Sequence, residues 1–163
     1  MRWSWKSLVI PMGCDTRPRR AMNPIQIVID TNVVVSALRS RHGASYALLH
    51  GLGDHRWQLN LSTTLALEYE TALKREMKNQ NRPLSLAEET VDALITVANR
   101  TSIQCRYRPV LPDPSDDFVL ELAVESGAAY VVTYNIRDFK GLEHYGISAI
   151  RPGEFLRILE GCT

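Results

Sequence analysis

The chain has 163 residues, 45% of them hydrophobic and 23% charged, with a formal net charge of +1. These values describe one ordinary globular domain with enough chain to build its own core. They leave no overall basic field, so a nucleic acid would have to be met by local cations. Three widely spaced cysteines, Cys14, Cys105 and Cys162, form no C-x-x-C pair. That argues against a disulfide framework and a zinc site and fits a reducing cytoplasm. No apolar run approaches the ~20 residues that a membrane-spanning helix needs.

Residues 1–22 carry two Trp, several basic residues and Pro with little periodicity. They read as a leader without fixed structure, or as a start-codon artefact with Met22 as the true start, rather than as a targeting segment. The apolar part is short and broken by Pro, and no small-residue cleavage site follows. The remainder, residues 23–160, reads as one domain.

From Met22 the pattern alternates. Ile25 to Ile29 is a continuous β-branched run bounded by Pro24 and Asp30, the pattern of a fully buried parallel strand. Val33 to Leu38 and Ala44 to Leu52 predict helices. Trp57 to Ser62 predicts a short strand, and Ser62 is placed to cap the next helix. Along that helix Leu65, Tyr69, Leu73 and Met77 recur on one face. Ser85 and Glu88 have capping-box spacing and open a helix expected to run to about Arg100. "IQCRY", from Ile103, is a strand candidate. "DPSDD" (Asp113 to Asp117) is an acidic turn opening a helix over Phe118 to Ser126, stopped by Gly127. Ala128 to Thr133 predicts a second buried strand, "GISAI" a last short one, and Pro152 begins a closing helix. Strands alternating with helices imply a parallel sheet, and such sheets place their clefts at the carboxyl ends of their strands.

The acids fall on that edge. Asp30 follows the first strand, Asp116 and Asp117 lie at a helix start, and Asn135 and Asp138 follow the strand ending at Thr133. Glu68 flanks the apolar stripe of its helix. Each has a simpler explanation alone: Asp30 as a helix cap, Asp116 and Asp117 as first-turn acids favoured by the dipole, Glu68 and Asp138 as solvated residues. Together they gather carboxylates without a partner from His42, His50, His55 or His144. Clustered carboxylates need a cation, and oxygen-only ligands select Mg²⁺ or Mn²⁺. The matching chemistry is attack of a metal-activated water on a phosphodiester. No G-x-S-x-G or glycine-rich phosphate loop is present.

"VIDTNVVVSAL" (28–38), "LSTTLALEYETALKRE" (61–76), "DPSDDFVLELAVESGAAYVVTYNIRDF" (113–139) and "GISAIRPGEFL" together resemble the PIN-domain nucleases, most of all the VapC-like toxins of bacterial toxin–antitoxin systems. The resemblance implies a PIN-like three-layer α/β/α fold around a parallel sheet. It implies a cytoplasmic Mg²⁺- or Mn²⁺-dependent endoribonuclease acting on single-stranded RNA, a homodimer, and a cognate antitoxin protein. It matches Asp30 to the family's first acid, Glu68 to the second, and Asp116 or Asp117 to the third, with Asp116 favoured by its distance to Ala123. The fourth acid's place holds Asn135, with Asp138 three residues on. Asn32, Ser62 and Thr133 are expected to support the site. An amide is a weaker, neutral ligand, so this departure from the family's pattern predicts one well-held ion and a loose or substrate-dependent second one.

Arg39, Arg41, Arg137 and Lys140 are the candidate RNA contacts, and Tyr134 is a candidate stacking surface that reads equally well as a packing residue. Lys74, Arg75 and Lys78 read as a solvated helix face. Two other functions compete. A haloacid-dehalogenase-type phosphatase needs an acid where Asn32 stands. A degenerate PIN domain that binds RNA or protein without catalysis has Asn135 as its support.

Overall fold

The computed structural model describes residues 23–104, 111 and 116–161. Five strands form one wholly parallel sheet. They are β1 (Ile25–Ile29), β2 (Trp57–Leu61), β3 (Asn99–Arg100), β4 (Tyr130–Val132) and β5 (Ser148–Ile150), in the spatial order β3-β2-β1-β4-β5. The helices are α1 (Thr31–Arg39), α2 (Ala44–His50), α3 (Thr63–Asn79), α4 (Ser85–Val97), α5 (Asp117–Glu125) and α6 (Pro152–Gly161), with short 3-10 turns at Ile136–Phe139 and Leu142–Tyr145. This is the α/β fold expected, a parallel sheet flanked by helices.

The apolar run of β1 explains its central place. Ile27, Val28 and Ile29 are fully buried, each side chain contributing roughly 1.5–3 kcal/mol by leaving water. The chain winds outward through β2 to β3, then returns past β1 to lay down β4 and β5. Adjacent strands β1 and β4 are therefore where the winding reverses. In open α/β sheets the crevice beyond the carboxyl ends of such a strand pair is the usual binding place. One polar seam crosses the sheet: the Asn60 amide donates to Gln26 Oε1 (2.9 Å), and the Asn99 amide donates to Asn60 Oδ1 (3.0 Å). Asn60 is wholly buried, so these bonds satisfy an amide that would otherwise be costly there.

Several expectations shift. Ser62 caps α3 as expected, its hydroxyl accepting from Leu65 N–H at 3.2 Å. Ser85 does not cap α4. It is the first helical residue, and Leu84 precedes it without a side-chain cap bond, because Pro83 and Leu84 already turn into the helix. Helix α4 stops at Val97, and Asn99–Arg100 pair with Asn60–Leu61 as β3. Ile103 and Gln104 lie outside any strand, and the rest of "IQCRY" falls outside the described residues, as do residues 1–22 and Asp113 to Ser115. Gly127 ends α5 in the left-handed region, φ +63°, where glycine carries no Cβ penalty.

Helices α1 and α3 are tied by a buried acid. Glu76 on α3 accepts both prongs of the Arg39 fork, at 2.8 and 2.7 Å, and a third bond from the Gln80 amide at 2.7 Å. The Arg39 hydrogen bonds hold the Glu76 carboxyl down at about 2, against the opposing effect of burial. A depressed folded pKa gives stability that is full above the unfolded value, near 4.5, and is lost as pH falls towards about 2. Glu76→Gln should therefore cost about 1–2 kcal/mol at neutral pH, discounted for the exposed arginine. Urea unfolding should show that deficit narrowing below pH 4.5. A deficit unchanged across that range would assign it to packing instead.

Candidate active site at the carboxyl edge of the sheet

The strand register sets a single rank of residues beyond the sheet. Ile29 pairs with Val132, and Val132 with Ile150. Asp30 N–H donates to Val132 O and Thr133 N–H to Ile150 O, both at 2.9 Å, while Thr101 N–H donates to Leu61 O at 3.0 Å. Continued by one residue, the register lines up Thr101, Ser62, Asp30, Thr133 and Arg151. Every member of that rank is polar, with Asp30 at its centre.

Asp30 is only 8% exposed. It stands at the N-cap position of α1, yet no bond of capping geometry reaches its side chain from the helix. The backbone N–H groups of Thr31 and Asn32 nevertheless favour its charged form, so a weak capping contribution accompanies the side-chain network. Its Oδ2 accepts from the Thr133 hydroxyl and from the Asn32 amide, each at 2.6 Å. Thr133 Oγ1 in turn accepts from Asn32 Nδ2 at 3.2 Å and from Asn135 N–H at 2.9 Å. Asn32 Oδ1 accepts from Tyr134 N–H at 3.2 Å. The expected supporting roles of Asn32 and Thr133 thus have a concrete form: together they lock a carboxylate across the crevice between β1 and β4.

Burial raises the Asp30 carboxyl above the ordinary aspartate range. The Thr133 hydrogen bond opposes that rise, and the negative charge of Glu68 adds to it. Glu68, half-buried on α3, is therefore close enough to Asp30 to be felt electrostatically. The next residue, Tyr69, is fully buried and donates its hydroxyl to the backbone carbonyl of Ile29, the residue before Asp30. Burial, then Asp30, then Glu68, push the Tyr69 phenol well above its usual pKa. Tyr69 was legible as an apolar stripe residue. Its hydroxyl bond, which pins α3 to the end of β1, was not.

Both candidates for the third acid lie at the start of α5. Asp117 is wholly buried and its Oδ1 accepts from Leu111 N–H at 2.9 Å, so this carboxylate is engaged in holding the chain ahead of α5. Asp116 is half-buried at the helix start, and neither member of the doublet is without a partner. Helix α5 precedes β4 and runs antiparallel to it, which brings its N-terminus to the carboxyl edge, and it touches α3. Asn135 is exposed and gives its N–H to Thr133. Asp138 is half-buried on the first 3-10 turn, its N–H donating to Asn135 O at 3.0 Å. Among the candidate RNA contacts, Arg137 and Lys140 are exposed beside this turn and Arg41 is exposed after α1, whereas the Arg39 fork is taken up by Glu76. Tyr134 is partly exposed, with its hydroxyl held 2.8 Å from Ser45 Oγ on α2.

The donor set fits a hard divalent cation in kind. Asp30 and Glu68 are oxygen-only, mutually repelling carboxylates, one of them desolvated. The adjacent Thr31 has a buried hydroxyl oxygen with no hydrogen-bond partner among the described residues. Among the described residues no group of three or more His, Cys, Asp or Glu closes around an ion. The site is thus an open pair of acids rather than a cage, which suits an ion that keeps several of its own waters. Thr133→Val keeps the shape but leaves the Asp30 and Asn32 side chains and Asn135 N–H short of a partner. It should destabilise the protein by about 1–3 kcal/mol in urea unfolding. A loss under a few tenths would mean that the network does not order Asp30.

Among the described residues no helix is long and apolar enough to cross a membrane. No curated protein matches the chain. A family model, the PIN domain, matches residues 26–137, a span that includes β1 from Gln26, the Asp30 network, Glu68 and α5 and ends at Arg137 within the turn after β4. PIN domains are usually nucleases and generally use divalent metals. From β1 through Arg137 the sequence fits that model, and the chain belongs to the PIN-domain family.

Proposed function

We propose that this protein is a Mg²⁺- or Mn²⁺-dependent endoribonuclease cleaving single-stranded RNA, the toxin component of a type II toxin–antitoxin system. The observation that carries the nuclease activity is the desolvated Asp30 carboxylate, locked by Thr133 and Asn32 and electrostatically coupled to Glu68. A carboxylate kept in so unfavourable a place needs a compensating cation. Asp30 and Glu68 would hold the ion, joined by Asp116 from α5, with Asn135 and Asp138 as the weaker outer donors. When bound, such an ion activates a water and stabilises negative charge on the phosphate oxygens. The chain's own part is positional. Thr133 and Asn32 fix the Asp30 carboxylate through Oδ2, and Tyr69 fixes the helix bearing Glu68. The toxin role, the homodimer, the cognate antitoxin and the cytoplasmic location are supported by the sequence resemblance to VapC-like toxins. Residues 23–160 would form the nuclease domain, preceded by a leader.

Asp30→Asn keeps the shape and removes the charge. It should lower Mn²⁺-dependent cleavage of a single-stranded RNA by about 100-fold or more, since each ~1.4 kcal/mol of lost transition-state stabilisation is tenfold in rate. Equal cleavage by both proteins would refute the metal-site assignment. RNA binding without cleavage by the parent would favour the degenerate, binding-only function. The Asn135 position gives a second test. Calorimetric titration with Mn²⁺ should find one tight site, Asp138→Asn should weaken it, and Asn135→Asp should preserve or strengthen it. Two tight, equivalent sites in the parent would contradict this.

A further inference from the structure

We infer that the nucleic-acid strand leaves the Asp30 site over the β4–β5 side of the carboxyl edge, with a backbone phosphate held by Arg151 and the next by Arg137. The inference rests on the chain acting on single-stranded RNA, as proposed above.

Arg151 belongs to the same rank as Asp30. Thr133 stands between them, hydrogen-bonded through its side chain to Asp30 and through its backbone N–H to Ile150. Two strand spacings put the Arg151 backbone about 10 Å from that of Asp30. With the pleat, residues of one rank face the same side of the sheet, so Arg151 shares the side of Asp30.

The distribution of uncommitted cations selects this flank. On the α1 side, the Arg39 fork is occupied by Glu76, and Arg41 is not without a partner either. Lys74 is tied to Glu70 and Glu88, and Arg56 to Asp54. Arg157 bonds Gly153 O. Arg75 and Lys78 lie more than three turns along α3, which carries them about 18 Å or more from the end of the helix at the sheet edge. Arg100 lies one rank below, so it faces the other side of the sheet.

By contrast, Arg137, Lys140 and Arg151 are all exposed, and none forms an ion pair among the described residues. Two acids on this flank are engaged with backbone: Glu143 accepts from Gly141 N–H and Glu154 from Arg151 N–H, both at 2.9 Å. Asp138 follows Arg137 on the same 3-10 turn and is half-buried. Tyr134, partly exposed directly after Thr133 and anchored by its hydroxyl to Ser45, offers a face on which a base can stack. A phosphate fits this arrangement because a guanidinium reads two of its oxygens with two parallel donors.

The test is fluorescence anisotropy with a short labelled single-stranded RNA in metal-free buffer, across a salt series. Arg151→Gln and Arg137→Gln should each weaken binding by roughly threefold to tenfold and flatten the salt dependence by about 0.7 in log–log slope per lost contact. Arg75→Gln, on the far part of α3, should bind as the parent does. Thermal melts of each variant should match the parent, which removes misfolding as an explanation. If the parent binds and cleaves RNA but Arg151→Gln and Arg137→Gln bind it normally, the path is wrong while the nuclease function stands. If the parent neither binds nor cleaves RNA, the function and the path fall together.

Discussion

A carboxylate held where water is scarce is the constraint around which this molecule is arranged. Asp30 ends a strand whose last three residues are wholly buried, and it stays in their desolvated surroundings. Burial alone would favour the neutral acid. Two short side-chain hydrogen bonds, from Thr133 and Asn32, favour the charged form instead. The two influences are opposed by design of the fold: the same parallel sheet that desolvates Asp30 supplies, one strand over, the hydroxyl that orients it.

The rest of the scaffold keeps that arrangement in register. The winding reverses between β1 and β4, which opens a crevice where Asp30 and Thr133 meet. Tyr69 ties α3 to the backbone just before Asp30, so the helix that brings Glu68 cannot drift along the sheet without losing a fully buried hydrogen bond. Further along α3, the Arg39–Glu76 fork joins it to α1, the helix that starts immediately after Asp30. Both acids of the pair are thus braced through the same helix, once at the strand and once at α1. Asp117 does a similar service for α5 by holding Leu111.

Much of this was legible in the residues. A continuous β-branched run between Pro24 and Asp30 defines a central parallel strand, and an apolar stripe after a capping Ser62 defines α3. The doublet Asp116–Asp117 announced an acid at a helix start, although only the fold distinguishes a carboxylate bound to Leu111 from its neighbour. What escaped has physical causes. β3 is two residues of Asn and Arg with no apolar signal, visible only through its pairing with Asn60 and Leu61. The Ser85–Glu88 spacing matched a capping box, but the turn at Pro83 had already set the helix start. Arg39 looked like a free cation because its partner, Glu76, lies 37 residues away. Arg151 carried the same signal as Asp30, a charged residue directly after a short strand, but its rank beside Asp30 exists only once the strands are aligned.

The central claim is that Asp30 is a destabilising charge kept for a cation. It is tested most directly by the melting temperature of the parent and of Asp30→Asn, with and without Mn²⁺. A carboxyl whose folded pKa is raised gives up stability as pH rises through that value, so a neutral isostere at position 30 should recover stability on the alkaline side of that rise. Without metal, Asp30→Asn should melt higher than the parent. With Mn²⁺, which stabilises only a folded state that binds it, the parent should gain and the variant should not, so the gap closes or the order reverses. A variant that melts lower than the parent without metal and gains equally from Mn²⁺ would contradict the claim.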